Sequence, residues 1–242
     1  MNFLSGKRVL ITGSTQGIGY ATAQAFVKAG AEVWVHCSRD LAKAERVARE
    51  IGAAHAVTAD LSDLAETGAL YGKTGLVDIL VLNASVQFKE PWQEITDAHF
   101  EAQVNVNLRS TLKLMQAYYP AMKERGWGRI VTVGSVNQHR QHPELSMYAA
   151  TKCAVMSIVR NAAKFAAPYG VTVNNISPGA IHTPRNEAVW NDPEKRAAVE
   201  AQIPAGRFGD PEEVANAILF LCGENAAYIT GDDLTIDGGM RL

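Results

Sequence analysis

The stretch Val9-Leu10-Ile11-Thr12-Gly13-Ser14-Thr15-Gln16-Gly17-Ile18-Gly19 decides the fold. A short apolar run ends in glycines spaced Gly-x-x-x-Gly-x-Gly, and a helix-like segment, Ala21–Lys28, follows. Glycines at such a junction allow a tight turn, let a pyrophosphate approach the backbone, and let the helix pack close to the strand. The helix then aims its first amides at the anion. The spacing departs from the commoner Gly-x-Gly-x-x-Gly, and by itself the loop also reads as a plain structural turn.

Working outward, Val- and Ile-rich runs recur at Val33–Val35, Ile79–Leu82, Ile130–Val133 and Val171–Ile176. Between them lie helix-like segments at Leu41–Ile51, Phe100–Lys123 and Tyr148–Ala167. Strands alternating with helices predict βαβ units, hence an α/β fold with a parallel sheet covered on both faces. Such sheets hold ligands beyond the carboxyl ends of their strands, so chemistry-bearing residues are expected just after each apolar run. The segment Pro178–Pro211 carries four prolines before Pro211 opens the next helix. It is too long for an ordinary connection and reads as a substrate lid over about 180–210, with a short helix around Glu194–Gln202. The 242 residues show no Gly/Ser-rich linker, repeat or block of like charge, so one domain over 1–242 is expected.

The second strand ends in His36-Cys37-Ser38-Arg39. In a dinucleotide fold, an acidic residue here accepts the ribose 2′-hydroxyl, whereas an arginine holds a 2′-phosphate. Neither Cys37 nor Ser38 is acidic and Arg39 follows at once, which favours NADP(H) and leaves NAD(H) possible. The competing reading makes Arg39 a solvated residue at a helix start, with Asp40 as the cap.

The most specific signal is Tyr148-Ala149-Ala150-Thr151-Lys152. In a helix, residues four apart share a face, so Lys152 sits one turn beyond Tyr148. A phenol titrating near ~10 is a poor base at neutral pH. An adjacent ammonium favours the phenolate and makes the pair a tuned acid/base for a carbonyl or alcohol oxygen. Ser135, just past Ile130–Val133, is expected at the same sheet edge, where its hydroxyl can steady charge on that oxygen. Tyr-x-x-x-Lys recurs by chance and gains meaning only with the glycine loop and Ser135 upstream.

In order and spacing, Thr12–Gly19, Asn83-Ala84, Asn107, Ser135, Tyr148/Lys152 and Pro178-Gly179 together resemble the short-chain dehydrogenase/reductase family. The resemblance covers essentially the whole chain, through Ile229-Thr230-Gly231 and Asp237-Gly238-Gly239. It implies a single-domain Rossmann fold with a seven-stranded parallel sheet, assembled as a homotetramer or dimer. Tyr148 is implied as proton donor and acceptor, with Lys152 holding the nicotinamide ribose. Ser135 would orient the substrate oxygen, and Asn107 would order a relay water. Gly13, Ser14, Thr15, Gln16, Gly17, Ile18, Gly19, Ser38 and Arg39 form the implied nucleotide site. Asp60 and Leu61 flank its adenine, Asn83 and Ala84 line the cleft, and Pro178, Gly179, Ile181 and Thr183 face the carboxamide end. One departure is visible: the family's glycine after Asn-Ala is Ser85 here, which implies a slightly altered cleft.

His139, Arg140 and His142 lie between Ser135 and Tyr148, and Arg185, Asn186 and Trp190 open the lid. All six are candidate substrate contacts, favouring a small hydroxylated or carboxylated molecule; the alternative is that both loops face water. Two histidines three apart also invite a metal reading, but Pro143 interrupts the helical face and only Glu144 is close, so no metal is expected. A 3-oxoacyl-carrier-protein reductase is the alternative enzyme. The arginines that would dock its acidic carrier are replaced or shifted, to Tyr169 and Arg125. A nucleotide-binding regulator without turnover would be expected to have lost one of the acid/base residues.

With 47% hydrophobic and 20% charged residues and a net charge of −2, the composition is that of an ordinary globular protein. The basic residues are scattered, so nucleic acid is not an expected partner. No apolar stretch approaches ~20 residues, so no membrane span is expected. Met1 to Arg8 does not read as a signal peptide, and three isolated cysteines fit a reduced, cytoplasmic protein.

Overall fold

Five strands coincide with the apolar runs: β1 (Arg8–Ile11), β2 (Glu32–Cys37), β4 (Ile79–Leu82), β5 (Gly128–Val133) and β6 (Val171–Pro178). Two further strands, β3 (His55–Thr58) and β7 (Asp233–Ile236), close the two edges of the sheet. The computed structural model describes residues 4–242; Met1–Phe3, within the stretch Met1–Arg8 read against a leader, lie outside the described residues. The order is β3-β2-β1-β4-β5-β6-β7 and every pairing is parallel.

Residue parity decides which layer each side chain joins, because successive strand residues point to opposite faces. Val9, Ile11, Ile79 and Val81 pack on one face with Phe26, Val214 and Ile218. These come from α1 (Gly17–Lys28) and α9 (Pro211–Cys222), and α2 (Leu41–Ile51) covers Val35 on the same side. Leu10, Leu80 and Leu82 pack on the other face with Leu70, Leu114, Tyr118 and Val155. Those belong to α3 (Leu64–Thr74), α5 (Ser110–Arg125) and α6 (Ser146–Ala166). Each fully buried Leu or Ile contributes roughly 1.5–3 kcal/mol, so this two-sided sandwich is the stable frame of the molecule.

The single helix expected over Phe100–Lys123 is instead three pieces. These are α4 (Asp97–Gln103), a π-helical turn (Val104–Arg109) and α5. A π turn widens the helix and re-aims the residues it carries. It delivers Asn107 to the interior, 2% exposed. In the proline-rich segment, two short helices form, α7 (Glu187–Trp190) and α8 (Pro193–Glu200). Among the described residues, no helix is long and apolar enough to cross a membrane.

Candidate active site

β1 pairs with β2 on one side and β4 on the other. The chain leaves in opposite directions there and opens a crevice at the carboxyl ends of the strands. A cleft of about 750 Å³ fills it, running from Arg39 and Asp60 at one end to Tyr148, Arg185 and Phe208 at the other.

The glycine loop is clamped from beneath. Asn83 Nδ2 donates to the carbonyls of Thr12 at 2.9 Å and Gly13 at 3.0 Å, while Thr12 Oγ1 accepts from the Asn83 and Ala84 amides. Gly13 N donates to His36 Nδ1 at 3.0 Å, and the opposite ring nitrogen lies 3.1 Å from the Ala59 carbonyl. That pattern assigns the proton to Nε2. Burial pushes the His36 pKa down to about 4, so the ring is a neutral acceptor near neutrality. A side chain at Gly19 would collide with the Gly13 carbonyl, and Gly17, at φ +55°, lies opposite Thr183.

α1 then begins without a side-chain cap and without an acid in its first turn. By contrast, Asp40, Asp63, Thr96 and Asp192 cap α2, α3, α4 and α8, and Asp210 forms a capping box with Glu213 at α9; α5, α6 and α7 share the uncapped start, but not the glycine loop ahead of it. Free amides and an uncompensated dipole at the floor of a cleft suit a pyrophosphate. The residues present therefore fit a dinucleotide. At the far end Arg39 lines the cleft but is 80% exposed in its side chain and pairs with Asp60, Nε to Oδ2 being 2.9 Å. Lys43, one turn into α2, reaches the Gln16 side chain at 3.3 Å. Sequence reading missed it, because only the fold brings α2 over the loop. Ser14 is not a cleft-lining residue: its hydroxyl is buried and spans Ile11 O and His36 N.

At the chemical end, Ser135 leaves β5 and its Oγ accepts from Asn137 N at 3.2 Å, capping a short 3-10 turn. Tyr148 and Lys152 stand one turn apart on α6, both buried. Lys152 Nζ donates to the Val133 carbonyl at 2.7 Å and lies 5.5 Å from the Tyr148 ring centre. Burial pushes the Tyr148 phenol up. The Lys152 ammonium, the Arg185 guanidinium and hydrogen bonding from Ser135 outweigh it and hold the phenol below its ordinary value. Burial also lowers Lys152, and Arg185 adds to that, while Tyr148 opposes it. Asn107 Oδ1 accepts from Val86 N at 2.9 Å, and its Nδ2 reaches Val86 O at 2.9 Å and Thr151 Oγ1 at 3.2 Å. Asn107 thereby ties the loop after β4 to α6. The Tyr148 phenol, held below its ordinary value, can transfer a proton to or from a carbonyl oxygen placed within hydrogen-bonding distance of both Tyr148 and Ser135.

Of the six candidate substrate contacts, Arg140, His142, Arg185 and Asn186 line the cleft. His139 does not: it pairs with Asp233, which also accepts from Asn175 and Ser177 behind Ser135. Trp190 is likewise turned inside the lid, stacked on His182 at 3.7 Å with the Arg196 guanidinium 3.7 Å from its ring. Ser85 has a definite job. Its carbonyl and hydroxyl accept from Arg185 Nη2 at 2.8 and 2.9 Å, joining the loop beyond the carboxyl end of β4 to the lid. Gln87, Lys89, Gln202 and Phe208 complete the substrate end. They were not legible in advance, since nothing local marks them.

Fold and site together define a nicotinamide-dinucleotide-dependent oxidoreductase. A family model described as enoyl-(acyl carrier protein) reductase matches residues 13–241. Human L-xylulose reductase is 37% identical over 238 residues, which is 98% of this chain and 97% of that protein. The 3-oxoacyl-[acyl-carrier-protein] reductase of Escherichia coli (strain K12) is 35% identical over 247 residues, all of both chains. A gluconate 5-dehydrogenase from Burkholderia cenocepacia, solved with NADP and tartrate, superposes with a TM-score of 0.92 at 32% identity, covering 99% of this chain and 96% of that one. The chain belongs to the short-chain dehydrogenase/reductase family.

Proposed function

We propose that the protein interconverts a secondary alcohol and a ketone on a small polar substrate, a sugar, polyol or sugar acid, with NADP(H) preferred to NAD(H). The observation that carries this reading is the buried Tyr148, held toward its ionised form by Lys152 and Arg185 at the end of a cleft that begins at the glycine loop. The nicotinamide, when bound, supplies or accepts the hydride. In the reductive direction the Tyr148 hydroxyl gives its proton to the substrate oxygen while Ser135 hydrogen-bonds the same atom. The Lys152 ammonium stabilises the phenolate left behind and would also hold the nicotinamide ribose when the coenzyme is bound. Asn107 fixes the loop at Val86 against α6, which keeps the wall of the pocket in register with Tyr148. Arg39, free to exchange Asp60 for a 2′-phosphate, supports the preference for NADP(H). The segment over about 180–210 acts as a lid whose Arg185 latches onto Ser85.

The relatives' names divide between sugar-type and carrier-bound substrates. Two features favour the first group. Arg125, near where a carrier-docking arginine would stand, is tied to the Val77 carbonyl at 2.7 Å and to Asp78 at 3.3 Å. The other docking position is Tyr169, whose ring is covered by Lys123. The protein also works as a homo-oligomer in this reading: Phe165, 63% exposed, sits between Tyr119 and Tyr169 on a face that offers apolar area to a second copy. Following NADPH absorbance against ketoses, oxo acids and a 3-oxoacyl thioester tests the substrate reading. Turnover of the sugar-like ketones is expected; efficient reduction of the thioester alone overturns it in favour of the acyl reductase.

A further inference from the structure

The cleft has a charge asymmetry that the hydride and proton steps do not use. Its lining includes Arg39, Lys43, Lys89, Arg140 and Arg185, against a single carboxylate, Asp60. Arg39, Lys43 and Asp60 belong to the nucleotide end, where Arg39 pairs with Asp60 and Lys43 faces Gln16. Lys89, Arg140 and Arg185 surround the other end, and among the described residues none has an ion-pair partner.

Two of these cations have been given an orientation. Arg185 spends one nitrogen, Nη2, on the carbonyl and hydroxyl of Ser85, which pins the guanidinium across the mouth of the cleft, and the fork acts on the Tyr148 hydroxyl. Arg140 is held by Gln202 Oε1 at 3.0 Å, and its Nη1 is buried with no partner. An unpaired donor in a partly buried guanidinium is costly, and a planar fork is the geometry that matches a carboxylate. A neutral ketose would leave the buried Arg140 Nη1 without a partner and offer nothing to the exposed Lys89 and Arg185 beside it.

We propose that the substrate is an anion, an oxo acid on reduction and a hydroxy acid on oxidation, whose carboxylate is held by Arg185 while its reacting oxygen lies against Tyr148 and Ser135. Arg140 and Lys89 supply the positive potential that draws it in. This rests on the sugar-type reading above and selects the acid within it. Ser85 is the residue that makes it possible, because a glycine there would offer Arg185 a carbonyl but no hydroxyl.

The test compares a six-carbon oxo acid with the neutral ketose of equal length and with a 3-oxoacyl thioester, using NADPH, in the wild type, Arg185→Met and Arg140→Gln. A change in the Tyr148 pKa alters both substrates alike and cancels in the ratio of their kcat/KM values; loss of carboxylate binding does not. The wild type is expected to favour the acid. Arg185→Met should cut the acid-to-ketose ratio about 10–150-fold, the range of one charge-assisted bond. Arg140→Gln should flatten the fall of the acid's kcat/KM with added salt, the neutral substrate showing no such fall. Equal or better turnover of the ketose by the wild type, or a ratio and salt response unmoved in both variants, overturns the proposal while leaving the sugar-type reading intact. Reduction of the thioester with neither sugar-like substrate removes both.

Discussion

The floor and the rim of the cleft are built differently. On and just beneath the floor, His36, Asn107, Ser135, Tyr148 and Lys152 are buried; His36 and Asn107 are each held by two or more hydrogen bonds, and Lys152 by the Val133 carbonyl. On the rim, Arg39, Arg140 and Arg185 reach in from loops and short helices, and each rests on one neighbouring group that a ligand can replace or share. The floor sets what reaction is run, and the rim sets which molecules enter it. Substitutions on the floor should therefore alter rate or folding, and those on the rim should alter selectivity.

The largest effect belongs to the floor. Tyr148→Phe removes one hydroxyl from a packed ring, so turnover should fall roughly 10²–10⁴-fold, the worth of a positioned acid/base. Fluorescence titration with NADPH should give a nearly unchanged Kd. Near-normal turnover would sink the assignment of Tyr148.

Next comes a pH effect from beneath the glycine loop. His36 has a folded pKa of about 4, against roughly 6.5 in an unfolded chain. Between those values the unfolded chain binds a proton that the folded one does not. Its contribution is therefore complete above pH 6.5 and is lost as pH falls toward 4, by about 3 kcal/mol in total. Urea melts from pH 4 to 7 should show this slope, and His36→Gln should flatten it. An identical slope in the variant would free His36 from that role.

On the rim, Arg39→Ala should lower the preference for NADPH over NADH by about 10–150-fold, from the roughly 1.5–3 kcal/mol of a charge-assisted phosphate contact. The Kd for NADH should change little. A ratio that stays put would move discrimination to Lys43, and it would break the division of labour between rim and floor.

The same division governs what could be read from sequence. Tyr148 and Lys152 were legible because their relation is local, one helical turn, and Ser135 because it directly follows an apolar strand. The five inner strands announced themselves through short runs rich in Val, Ile and Leu. The edge strands β3 and β7 did not, since His55-Ala56-Val57-Thr58 and Asp233-Leu234-Thr235-Ile236 are only part-buried and carry mixed residues. The helix α3 was hidden by Gly68 and Gly72 in its interior. The π turn at Asn107 has no pattern of its own, because the residues on either side are ordinary helix. The Ser85–Arg185 contact joins positions 100 residues apart. No periodicity encodes such a meeting. His139 and Trp190 were misplaced for the same reason: Asp233 and His182, which claim them, are brought there only by the fold.

The bare start of α1 also bears on the protein's lifetime. Unlike α2, α3, α4 and α8, this helix has no side chain of its own to close its first turn; a dinucleotide pyrophosphate that completes it would link occupancy to folding. At a free ligand concentration a hundredfold above Kd, the linkage adds about 2.7 kcal/mol to the folded state. Molecules deprived of nucleotide then visit the unfolded state more often and meet proteases sooner. On this linkage, the amount of this enzyme in a cell would follow the size of the coenzyme pool it draws on.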